Sequence, residues 1–323
     1  MAGIRNTRLL IAVFAAAALA AGCSSGSEAP EDLPPTIPNN WVTSLAIDPD
    51  GSMWAGTNDG LGHLVDDAWT NYHGLDGLPN DLVNSVAVAD DGVVWVGTNY
   101  GAGEFNDPVW TRFGIEDGLE TNWVNAVTFD PEGSVWLGTI FGLSSLNADG
   151  SWTSVTTDDG LPNSRVTALA FASDGTPWVG TNGGLSTFSD GVWTEYTTAD
   201  GLPGDWVNAI DVDDDGVVWV AVRGGLGRFD GSQWTTYTAA DGLPAEWVTA
   251  VSAGTDGVVW VGTTDGLAQV VAGELGIPAS AQGIPDSSVT ALAHADEGPL
   301  WVGTKGGLGR LDDGDWTIYT AAP

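Results

Sequence analysis

A chain of 323 residues that is 43% hydrophobic, with 46 Gly and 17 Trp, has enough apolar mass for a large folded core, which excludes global disorder. Only 8 Lys and Arg oppose 43 Asp and Glu, giving a formal charge of −35. Nucleic acid is thereby excluded as a partner, because holding a phosphate backbone needs cations to replace its counterions. Direct adhesion to anionic lipid is disfavoured on the same ground, and the acidity suits a soluble surface that meets cations or cationic partners.

Residues 1–22 read as an export signal. Arg5 and Arg8 form a basic start, and the apolar run from Leu9 to Ala21 is too short to span a bilayer. The run ends at Gly22-Cys23 and a polar Ser24-Ser25-Gly26-Ser27 stretch. Cys23 is the only cysteine, so no disulfide can form within the chain. This segment resembles a bacterial lipoprotein signal, with Ala20 standing where that family usually has Leu. The resemblance implies cleavage before Cys23, lipidation of Cys23 and anchorage to the cell membrane on its extracytoplasmic side; ordinary secretion is the alternative. Residues 23–40, with Pro30, Pro34, Pro35 and Pro38, read as the lipidated Cys and a flexible linker.

Beyond residue 40 the chain repeats itself. A Trp-Val-Gly-Thr motif, with small variations, places its Trp at 54, 95, 136, 178, 219, 260 and 301. A Trp-Thr-x-Tyr motif or a relative starts at Trp69, Trp110, Trp152, Trp193, Trp234 and Trp316; only the sixth unit lacks it, with Ala272-Gly273-Glu274-Leu275 instead. Each unit holds four short strand-like runs. In the fifth these are Val207 to Val212, Val217 to Val222, Leu226 to Phe229 and Trp234 to Thr238. Asp214-Asp215-Gly216, Arg223-Gly224-Gly225 and Asp230-Gly231 supply the turns between them. No run has the period of an amphipathic helix. Units of about 40 residues with four antiparallel strands predict propeller blades. The expected fold is all-β: a seven-bladed β-propeller over residues 41–323. Thr36-Ile37-Pro38 resembles the inter-unit linker that the last unit lacks, so the ring is expected to close without a blade shared between its termini.

Asp-x-x-Gly-x-x-Trp-Val-Gly-Thr-x-x-Gly-Leu, followed by Trp-Thr-x-Tyr and Asp-Gly-Leu-Pro, resembles the two-component regulator propeller repeat. Good copies run over Asp213 to Leu226 and Asp174 to Leu185. The resemblance implies a propeller of the kind found in periplasmic sensor regions of histidine kinases. The repeats stand here without a kinase, a membrane-spanning helix or a DNA-binding region, so phosphotransfer by this chain is not expected.

Seven of the Trp fall in second strands and six in fourth strands, where packing between blades explains them. Trp41, Trp123, Trp206 and Trp247 remain. They sit just before the first strand of their units, in a slot that holds Leu82, Arg165 and Ser288 elsewhere. The turns from second to third strand lie at the same end of each blade, and there the sequence varies most, with Tyr100, Phe141, Arg223 and Lys305 among the residues. Arg165, Arg223 and Lys305 are half of the six cations beyond Cys23. Trp41, Tyr100, Trp123, Phe141, Arg165, Trp206, Arg223, Trp247 and Lys305 therefore form the candidate binding rim, suited to a carbohydrate or another small polar ligand. Wedging of the four Trp against neighbouring blades is the structural alternative.

Catalytic and metal signatures are sparse. His63, His73 and His294 show no metal-ligand spacing, and no nucleophile elbow or phosphate loop is present. His294 occupies the slot of Ile47 and Phe129 in the last unit, next in the ring to the unit of His63, which keeps a pairing of the two open. Asp211-x-Asp213-x-Asp215-Gly216 mimics the start of a calcium loop but lacks the completing Glu. No cofactor and no metal are expected, and a monomer is. The sequence supports a membrane-anchored binding or sensing module, not an enzyme; a protein–protein interaction scaffold in the cell envelope is the first alternative and a propeller hydrolase or lyase the second.

Overall fold

The computed structural model describes residues 36–254, 256–294 and 298–322. The export signal, Cys23 and the linker up to residue 35 lie outside the described residues, as do Asp296 and Glu297 of the last acidic turn. Seven four-stranded antiparallel sheets follow one another, each built from four consecutive strands. The blades span 42–72, 83–113, 124–155, 166–196, 207–237, 248–276 and 289–319. Among the described residues no helix is long and apolar enough to cross a membrane.

The blade assignment from sequence holds to within a residue or two. In blade 5 the strands are Val207–Val212, Val218–Val222, Gly225–Phe229 and Trp234–Tyr237. No blade is shared between the termini. Two contacts tie the chain ends together instead: Ala321 N–H donates to Asn40 Oδ1 at 2.7 Å and Ala322 N–H to Thr36 Oγ1 at 3.0 Å. Ile37 is buried, so residues 36–40 belong to the ring, and the linker ends earlier than residue 40. Composition alone misplaced that boundary, because Pro-rich sequence marks both a solvated spacer and an ordered inter-blade connection.

A ring of side chains closes the hub. Each first strand carries a bulge at its second residue, which drops out of the ladder with the second strand. A bulge re-aims its side chain. Here the bulged residues are Thr43, Asn84, Asn125, Thr167, Asn208, Thr249 and Thr290, and each donates to the carbonyl of the first-strand Val of the next blade. The last of them, Thr290 Oγ1 to Val42 O at 2.5 Å, joins blade 7 to blade 1.

The Trp-Val-Gly-Thr motif follows from the same geometry. Its Gly lies against the next blade's first Val: a Cβ at Gly180 would come within 2.4 Å of Val207 Cγ1. Its Thr is buried and donates to the carbonyl three residues on, as Thr57 does to Gly60 O at 2.8 Å. The second-strand Trp rings pack between blades, and those of Trp54, Trp136 and Trp219 donate their N–H to Asp48, Asp130 and Asp213 in the adjoining turns. The indole N–H groups of Trp69, Trp110, Trp152 and Trp234 in fourth strands have no partner, so packing alone holds those rings.

Candidate functional site

The two ends of the ring differ in how their charges are used. At the end of the first-to-second strand turns, carboxylates serve the turns themselves. Asp213 accepts from Trp219 Nε1, Val217 N and Asp215 N. Asp211 accepts from Val212 N and, across the blade junction, from Ala253 N at 2.8 Å. Burial pushes the Asp211 carboxyl up to about 6, partly offset by those backbone donors. The calcium-like spacing is thus a hairpin whose oxygens are already engaged.

Three of the six described cations hold partners within the blades and linkers. Arg112 donates to Gly74 O, Gly77 O and Leu78 O, clamping the linker from blade 1. Arg228 and Arg310 lie over Trp219 and Trp301 and beside Asp230 and Asp312. Arg165, Arg223 and Lys305 are exposed at the opposite, linker end, where the sequence places them.

Two of these meet the slot tryptophans. Arg223 Cζ lies 5.0 Å from the centre of the Trp247 ring, and Lys305 Nζ 4.9 Å from that of Trp41. Both pairs cross a blade junction: the turn of one blade reaches over the slot residue of the next. The Arg223 turn is also built differently. Blade 5 replaces the Gly-Thr of the motif by Ala221-Val222, so the usual Thr hydroxyl is missing, and Arg223 instead forms an isolated backbone bridge with Trp247. Each such pair supplies a cation–π attraction of about 0.5–1 kcal/mol at an exposed site.

The slot itself does not require Trp. Trp41, Trp123 and Trp206 are each 42% exposed, and Leu82 fills the equivalent place at 41%. The rings are neither wedged away nor demanded by packing. Tyr100 and Phe141 are more exposed still, at 70% and 55%. Among the described residues Tyr100, Trp123, Phe141, Arg165 and Trp206 form no aromatic or cation–π pair, so the structure joins four of the nine predicted residues in two pairs and leaves the other five as open faces.

The concave spaces lie elsewhere. A groove of about 620 Å³ opens between blades 5 and 6 at the acidic end, lined by Asp213, Trp219, Arg228 and Tyr237 among others. Its carboxylate and guanidinium groups largely hold their own turns and rings. The rim offers exposed aromatic faces, and it is the better candidate because, among the described residues, its cationic side chains hold no carbonyl or carboxylate.

The histidines fall in separate environments. His63 stacks on Trp54 at 3.7 Å between centroids, with its Nε2 2.9 Å from Ser52 Oγ. Burial holds the His63 ring below its ordinary value. Hydrogen bonding from Ser52 holds the Asp50 carboxyl low, and the Ser52 amide donates to it at 2.8 Å. His294 faces Gly254 of blade 6, away from blade 1. His73 closes the fourth strand of blade 1, and its Nδ1 lies 3.8 Å from Asp81 Oδ1.

Fold and rim together define a ring of seven sheets, closed at its hub, with one end whose aromatic and cationic residues are free. Residues 36–59 and 77–100 match the two component regulator propeller family, and the described residues form a seven-bladed β-propeller. Among curated proteins none matches the sequence. Solved structures match the fold. The extracellular domain of a hybrid two component system from B. thetaiotaomicron is 21% identical, with a TM-score of 0.72 over 88% of this chain and 40% of that one. This chain therefore spans well under half of that structure. A catalytically inactive virginiamycin B lyase from Staphylococcus aureus, with quinupristin, is 16% identical, with a TM-score of 0.71 over 84% of this chain and 95% of that one. The extracellular domain of a one component system from B. thetaiotaomicron is 18% identical, with a TM-score of 0.60 over 86% of this chain and 48% of that one.

Proposed function

We propose that the chain is an extracytoplasmic binding module, anchored through Cys23, that recognises a carbohydrate or another polar ligand bearing negative charge at the linker end. The observation that carries this is the slot before each first strand. Leu fills it as well as Trp does, yet four of seven blades hold Trp, and two of those Trp carry a cation from the neighbouring blade. Aromatic faces at this spacing around a ring suit stacking against sugar rings, and the guanidinium and ammonium groups suit carboxylate, sulfate or phosphate substituents. An open rim fits a ligand that lies across several blades better than one that must be enclosed.

Similarity in fold to extracellular domains of two component and one component systems supports a sensing role. The lyase similarity concerns the same fold and leaves the reaction class open. We favour binding over catalysis because the exposed aromatic and cationic residues gather at the rim, whereas His63 lies stacked on Trp54.

The test is a panel of neutral and anionic glycans against wild type and the Arg223→Ala/Lys305→Ala double variant. Binding of an anionic glycan that drops at least tenfold in the double variant, at unchanged melting temperature, supports the reading. Retained affinity in the double variant contradicts it.

A further inference from the structure

We propose that the junction between blades 1 and 2 holds a divalent transition-metal ion, coordinated by Asp59, His73 and Asp81. Their ligand atoms all lie within 4.8 Å of one another. They arrive from three separate places: Asp59 from the second-to-third strand turn of blade 1, His73 from the end of its fourth strand, and Asp81 from the linker to blade 2.

Each position has a local explanation for its place but none for its chemistry. Gly60, at φ +114°, brings the turn so close that a Cβ there would meet His73 Cε1 at 2.7 Å, which sets the imidazole beside Asp59. Asp81 Oδ1 accepts from Gly74 N at 2.7 Å, which fixes that carboxylate and leaves its other oxygen uncommitted. The repeats serve as internal controls. Asn122 accepts from Ile115 N in blade 3's linker as Asp81 does here, so the turn needs only a carbonyl oxygen. Thr156, Thr197 and Thr238 hold the His73 position and satisfy the same turn through Asp159, Asp200 and Asp241. The Asp59 position is Gly183, Gly224 or Gly306 in three blades, Tyr100 and Phe141 in two, and Asp265 in the sixth. Among the described residues, only the blade 1–2 junction combines three ligand-type side chains, and only one of the three, His73, has no counterpart in another blade.

One imidazole nitrogen and two carboxylate oxygens favour a borderline cation such as Zn²⁺ over Ca²⁺ or Mg²⁺, which prefer all-oxygen sites. Three protein ligands leave a position open for water or an anionic group of a ligand. The residues stand whether or not the rim binds a glycan.

The experiment titrates Zn²⁺ into chelator-treated wild type, His73→Thr and Asp81→Asn, followed by calorimetry and thermal melting, with Ca²⁺ as the comparison ion. The expected result is one tight Zn²⁺ site per chain that raises the melting temperature, at least tenfold weaker in both variants, with metal-free melting unchanged. The two substitutions are those that sister blades already carry, so folding is retained. Absence of stoichiometric Zn²⁺ binding, equal binding in His73→Thr, or Ca²⁺ binding as tight as Zn²⁺ would each overturn the proposal.

Discussion

The hub and the rim of the ring are made by neighbouring residues of the same repeat, yet they obey opposite rules. At the hub, the bulged position is Thr or Asn in all seven blades, and every one of them bonds to the next blade's carbonyl. Two residues earlier in the chain, the rim slot holds Trp, Leu, Arg or Ser, with Trp and Leu at almost the same exposure. A position with a structural duty becomes uniform, because each deviation leaves a buried carbonyl without its donor. A position without one is free to differ from blade to blade, and differences around a ring can be matched to an asymmetric ligand.

Breaking the hub should cost far more than altering the rim. Leu226 is fully buried at the start of a third strand, and Leu226→Ala should destabilise by about 2–5 kcal/mol, read by chemical denaturation. Asp211 provides a second contrast, since Ala46, Ala87, Ala170 and Ala293 hold its place in other blades. Its carboxyl is raised to about 6 in the folded chain from 3.8. The folded state therefore takes up a proton where the unfolded state does not, and stability contributed by this group grows as pH falls from about 6 towards 3.8. Denaturation of wild type and Asp211→Ala between pH 7 and 4 should show wild type gaining on the variant by on the order of 2 kcal/mol. Thr290→Val removes the donor that closes blade 7 on blade 1 and should cost about 1 kcal/mol, with a lower denaturation midpoint. Trp123→Leu, which copies Leu82, should change stability by less than about 0.5 kcal/mol.

Much of the ring was legible in the sequence because period and turn chemistry are one-dimensional signals. Seven equally spaced Trp, Asp-Gly turns and the linker-like Thr36-Ile37-Pro38 gave blade number, strand order and closure. The cations of the rim were legible as departures from the repeat. The hub bonds were not, since a Thr or Asn after Val carries no mark of a partner 40 residues away. The grouping of Asp59, His73 and Asp81 was equally hidden: three places in two units meet only because the turn at Gly60 approaches the following strand end. The pairing of Arg223 with Trp247 and Lys305 with Trp41 depended on knowing that each turn overhangs the next blade and not its own.

The most direct measurement replaces Trp41, Trp123, Trp206 and Trp247 together by Leu and compares thermal melting and glycan-panel binding with wild type. A rim built for recognition predicts loss of every rim-dependent ligand with no greater loss of stability than two exposed cation–π pairs supply, about 1–2 kcal/mol. A large drop in melting temperature, on the scale of a core substitution, would show that these rings brace the blades.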